Sequence, residues 1–147
     1  MQKTEFFKKV NAPLSNTRWS WVGVNEELNQ AFFIVINDKK NGFVSGQIGS
    51  RQFVIRESNW NDSSAGFNEQ SHVIQRCISG EFSAQVVLAD FDKELWDSEQ
   101  ETSITGLLGQ FYFEVEVEME ASGAVLAHEK AMYRLDKNNG RYALQKR

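Results

Sequence analysis

The chain has 147 residues, of which 41% are hydrophobic, 12% aromatic and 24% charged, with a formal net charge of −4. That is the size and composition of one globular domain with its own core, which excludes a disordered chain and argues against a wrap-around nucleic-acid binder. A single Cys excludes an intramolecular disulfide, and one Cys with two His is too few for the usual structural zinc sets. No metal and no cofactor is expected, and the cysteine usage fits a reducing cytoplasm. No apolar run follows the charged N-terminus and no stretch approaches the ~18 apolar residues of a membrane helix, so neither a secretory signal nor a membrane partner is expected.

In chain order, a short helix is predicted over residues 3–11. Thr4 is placed as its N-cap, Phe6, Phe7, Val10 and Leu14 keep helical spacing, and Asn11 with Pro13 ends it. Thr17 to Val24 alternates as a strand does. Gln30 to Ile36 is a nearly continuous apolar run rich in aromatic and β-branched residues, which predicts a central strand. After the turn cluster 37–42, Phe43 to Ser45 and Gln52 to Arg56 read as short strands. A polar loop over 58–64 leads into the main helix, 65–79, with Phe67, Ser71, Ile74, Cys77 and Ile78 as its apolar stripe and Gly80 as its stop. Glu81 to Ala89 is another buried strand, followed by an acidic connection over 90–101.

Residues 111–120 alternate strictly: Phe111, Phe113, Val115, Val117 and Met119 share one face, and Tyr112, Glu114, Glu116, Glu118 and Glu120 share the other. Ala121-Ser122-Gly123 fits a type I turn closed by a G1 bulge, which sets Glu116 opposite His128 and Glu114 opposite Lys130. Asn138-Asn139-Gly140 predicts a further turn before Tyr142 and Leu144. The whole reads as a single α+β domain over 1–147. Its mostly antiparallel, strongly curved or barrel-like sheet of seven or eight strands carries the 65–79 helix, with a short helix at the N-terminus.

Two segments hold the candidate ligand-binding residues. In Asn16-Thr17-Arg18-Trp19-Ser20-Trp21, strand spacing sends Trp19 and Trp21 to one face, where paired indoles stack on a planar ligand or a nucleobase and Arg18 meets a phosphate. The alternative is that both indoles fill the core and Arg18 closes an ion pair. In the second segment Trp60 stands on a polar loop, ringed by Arg56, Glu57, Asn59, Asn61 and Asp62. It either meets a ligand there or folds back to staple the loop to the body. The candidate site is therefore Arg18, Trp19, Trp21, Arg56, Asn59, Trp60 and Asp62.

Other features read as structure. The glutamate row of 114–120 converges poorly on one cation, because alternate strand residues stand ~6.5–7 Å apart. Cys77 and His72 are five apart on one helix and project in different directions, and Glu69 with His72 reads as an exposed pair. No P-loop, Gly-x-Ser-x-Gly, His-Glu-x-x-His or dinucleotide fingerprint is present, and no catalytic residue is assigned.

The segment Asn16-Thr17-Arg18-Trp19-Ser20-Trp21 resembles a bacterial domain with an N-x-R-W-S-W-G signature, found alone or ahead of HNH nuclease modules in restriction-type proteins. The order of elements is similar over most of the chain: a leading helix with Phe6, Phe7 and Leu14, a strand at Phe32 to Ile36, a helix opened by Gly66-Phe67-Asn68-Glu69, and an apolar strand ending Val87-Leu88-Ala89-Asp90. Val22 stands where the signature has Gly, and Gly23 follows one place later. The chain carries no HNH metal motif. The resemblance implies a nonenzymatic accessory role in reading DNA and an association with mobile gene cassettes.

Three functions compete: a module binding a small planar ligand or a nucleobase in modified DNA; a self-associating interaction protein, a homodimer, with no small ligand; and a small enzyme using Asp62, Glu69 or His72 near the Trp60 loop. Charge is unevenly spread. Residues 1–80 hold nine Lys/Arg against seven Asp/Glu, and residues 81–147 seven against thirteen. The acidity that disfavours nucleic acid therefore belongs to the second part of the chain, not to the Arg18/Arg56/Trp60 side.

Overall fold

The computed structural model describes residues 2–17, 20–60, 64–91, 104–108, 111–135 and 141–144. Among them are two helices, α1 (Lys3–Lys9) and α2 (Ala65–Ile78). The strands are β1 (Val22–Asn25), β2 (Gln30–Ile36), β3 (Val44–Ser45), β4 (Gln52–Arg56), β5 (Ser83–Phe91), β6 (Ile104–Leu107), β7 (Phe111–Met119), β8 (Val125–Leu135) and β9 (Arg141–Leu144). They form one mixed sheet in the order β1-β2-β5-β7-β8-β4-β3, with β6 also on β5 and β9 also on β8. The fold class is α+β, as the sequence predicts. β2 and β5 pair in parallel, because β3, β4 and α2 intervene and supply the long crossover that a parallel pair needs. The other described pairs are antiparallel.

The central strands are apolar on both faces because both faces are covered. Ala31, Phe33 and Val35 of β2 join one core cluster with Val86, Phe113 and Ile74, while Phe32 and Ile34 join a second cluster with Phe6, Phe7 and Tyr112. α2 covers the first face and α1 the second. Within the second cluster the Phe6 ring stands edge-on to Phe32 and Tyr112, with centroids 6.3 and 6.4 Å away. The upper end of β7's glutamate face is thus core, since Tyr112 is 2% exposed.

Four local expectations change. α1 ends at Lys9, and its N-cap is Gln2 without a side-chain bond, so Thr4 lies inside the helix. β1 begins at Val22, not at Thr17: the Asn16 N–H donates to Ser20 Oγ and the Ser20 N–H to the Asn16 carbonyl, both at 3.0 Å, a local pairing four residues apart that is not a strand's. α2 buries Gly66, Gln70, Val73 and Ile74, whereas Ile78 is 46% exposed. The helix is rotated from the expected stripe because Gln70 turns inward to meet the buried Arg56. In the β7–β8 hairpin the turn and the Glu116–His128 pairing stand, with Gly123 at φ 94° and its N–H donated to the Glu120 carbonyl. A bulge beyond Val115 then sets Glu114 opposite Ala131, although the Lys130 Nζ still reaches its carboxylate at 3.8 Å.

The sheet bends enough for β2 and β4, four places apart in the strand order, to approach one another. β1 pairs with the first part of β2, and β3 with the first part of β4. No ladder joins β2 to β4 among the described residues, so the sheet is not closed into a barrel. The open seam between these two strands is where a cleft forms.

Candidate functional site

The cleft on the seam has a volume of about 170 Å³. Its apolar walls include Ile34 and Ile36 from β2 and Val54 from β4. Phe43 forms part of the lining, held between a hydrogen bond from its N–H to the Asp38 carbonyl and one from the Val54 N–H to its own carbonyl, each 2.9 Å. Trp21, Trp60, Glu57 and Asn59 complete the mouth.

Main-chain bonds place the two indoles. The Trp21 carbonyl accepts the Ile34 N–H at 2.9 Å, which pins the residue beside β2 just before β1 begins. Its ring packs half-buried against the second core cluster. The Trp60 N–H donates to the Glu57 carbonyl at 3.1 Å, a tight turn that folds Trp60 back over the seam. The rings then meet edge to face, with centroids 5.4 Å apart and planes at 87°. Trp60 thus staples its loop to the body, and the residue it staples to is the other cleft tryptophan. Two perpendicular indoles form a corner, and a planar ligand in that corner stacks on the face of one ring and turns its own edge to the face of the other.

Of the predicted site residues, Trp21, Asn59 and Trp60 are brought together. Arg18, Trp19 and Asp62 lie outside the described residues. Arg56 is placed elsewhere. It is 7% exposed, and its guanidinium points at α2. Nε and Nη2 donate to Gln70 Oε1 (2.9 and 2.7 Å), Nη1 to Ser71 Oγ (2.8 Å) and Nη2 to the Phe67 carbonyl (3.0 Å). The guanidinium also lies 3.8 Å from the centroid of the Phe67 ring. A β-bulge explains this direction. β4 has one residue more than β8 between Val54 and Arg56, so Ile55 and Arg56 both turn toward the α2 side instead of alternating. Arg56 anchors the helix to the strand that forms one wall of the cleft.

The lining residues that pattern reading leaves out are Phe43 and the side chains of β2 and β4. Nothing local marks them, since they become neighbours only when the sheet bends. Glu57 carries a weak signal as a charged neighbour of the Trp60 loop. Glu69 and His72 sit on α2 and do not line the cleft. Burial pushes the Cys77 thiol up to about 12, so it stays protonated and unreactive at neutral pH. Among the described residues no cluster of His, Cys, Asp and Glu has the makings of a metal site. No described helix is long and apolar enough to cross a membrane.

No protein-family model, curated protein or solved structure matches this chain. The site is therefore read from its own chemistry. Apolar walls exclude water, two indoles offer aromatic surface, and one amide and one carboxylate at the mouth can orient a ligand through hydrogen bonds.

Proposed function

We propose that this protein is a binding module that seats a small planar ligand in the seam cleft against Trp21 and Trp60. The observation that carries this reading is the perpendicular indole pair at the mouth of an apolar cleft, with Asn59 and Glu57 beside it. Stacking of a planar group on one indole is worth about 1–3 kcal/mol by alanine substitution. The Asn59 amide both donates and accepts, which suits the mixed edge of a nucleobase.

The DNA version of the reading needs an extruded or unpaired base, because the cleft is too small for a duplex. Self-association through sheet edges is the weaker alternative, since β1 spans four residues and β3 two, and short edge strands template pairing poorly. Titration of adenine, 5-methylcytosine and their nucleosides, read by protein NMR shifts, tests the module directly. Binding that Trp60→Ala removes while the fold persists is the expected result. Retardation of neither modified nor unmodified DNA at low salt would remove the DNA version, and absence of binding to every planar compound would remove the reading itself.

A further inference from the structure

The cleft also carries a charge preference, which rests on the reading above and sharpens it. Three aromatic residues, Trp21, Phe43 and Trp60, line one small space. The faces of aromatic rings are electron-rich and attract a cation more strongly than a neutral group of the same shape. Among the described residues the lining holds one charged residue, Glu57. The cation nearest in sequence, Arg56, is turned through the bulge toward α2 and committed to Gln70, Ser71 and Phe67. The bulge thus removes a positive charge from the side of β4 that Glu57 follows. An anionic ligand would meet a carboxylate and the negative faces of the rings, and a neutral one would gain stacking and hydrogen bonds but no ion pair. A planar cation gains stacking, the ring attraction and an ion pair at the mouth.

We infer that the ligand of this cleft is a planar organic cation, of the class of an N-alkylated heteroaromatic ring, with its charge against the Trp21–Trp60 corner and paired with Glu57. The source is a free small molecule, because a cleft of about 170 Å³ accommodates a single ring and not a folded partner.

The test uses two probes of the same shape and different charge, 1-methylnicotinamide (a cation) and 3-methylbenzamide (neutral), titrated calorimetrically into the full chain with adenine as a neutral planar control. The cation should bind at least about tenfold tighter than its neutral twin, the factor that a partly desolvated cation–π contact supports. Glu57→Gln should reduce that ratio severalfold, with the larger loss falling on 1-methylnicotinamide. Glu57 is exposed, so the variant folds normally. Equal affinities for the two probes, or a ratio untouched by Glu57→Gln, would overturn the charge preference and leave the planar-ligand reading standing. Failure of all three compounds to bind would overturn both.

Discussion

Gly23→Ala is the most informative single perturbation, because Gly23 sits where the N-terminal helix segment meets the first strand. An added Cβ would lie 2.3 Å from the Ala12 carbonyl oxygen and 2.6 Å from Phe7 Cδ1. The first of these atoms is backbone and cannot swing aside, and Phe7 is 1% exposed within the second core cluster. Overpacking a well-filled core costs about 1–3 kcal/mol, and a fixed backbone contact belongs at the upper end, so we expect a loss of about 3 kcal/mol. For a domain of this length that lowers Tm by about 6–12 °C. The damage should also reach the cleft, since Trp21 lies two residues away and is held to β2 by its own carbonyl. Thermal unfolding followed by circular dichroism reads the stability, and the near-ultraviolet spectrum reads the tryptophan environment. A Tm within about 2 °C of the parent would refute the packing argument, because the helix–strand junction would then have space that the distances deny it.

Arg56→Met should cost about 3 kcal/mol, measured by urea denaturation, because the inward-facing Gln70 oxygen loses its charged donors in a buried site. A variant of unchanged stability and reduced ligand affinity would instead make Arg56 a ligand contact. Ser64→Ala should cost about 1 kcal/mol by the same assay, because Ser64 Oγ accepts the Phe67 N–H at 3.2 Å as the N-cap of α2. Cys77 should resist thiol reagents at pH 8 in the folded protein and react quickly in urea; rapid labelling of the native state would contradict its burial. Its raised pKa also has a sign for stability. The contribution is complete below the unfolded thiol's value of about 8.5 and is lost as pH rises toward about 12, so Cys77→Ala should flatten that part of the alkaline stability curve.

Elements governed by their own residues were legible in the sequence. The apolar run of β2 and the bounds of β4 emerge at the predicted residues, and Gly123 closes the β7–β8 turn with the expected bond. What pattern alone missed depends on contacts between distant segments. The rotation of α2 comes from Arg56, on a strand that precedes it. The second face of β2 is apolar because α1 packs there, and the parallel pairing with β5 follows from what intervenes. The cleft was half legible for the same reason. Trp21, Asn59 and Trp60 announce themselves as aromatic and polar residues in suggestive surroundings. That they meet, and that Arg56 leaves them, depends on a bent sheet and one extra residue in β4.

The open seam has one more consequence. Among the described residues its two sides share no ladder, and the sheet joins them the long way round, through β5, β7 and β8. A molecule lodged between them would act as a rivet, holding together two strands that share no ladder. Occupancy at a hundredfold excess over Kd would add about 2.7 kcal/mol to the unfolding free energy, and raise Tm by about 5–11 °C. Melting temperature is therefore a practical way to search for the occupant, and the compounds that raise it most should be those that bridge Trp21 on one side of the seam and Trp60 on the other.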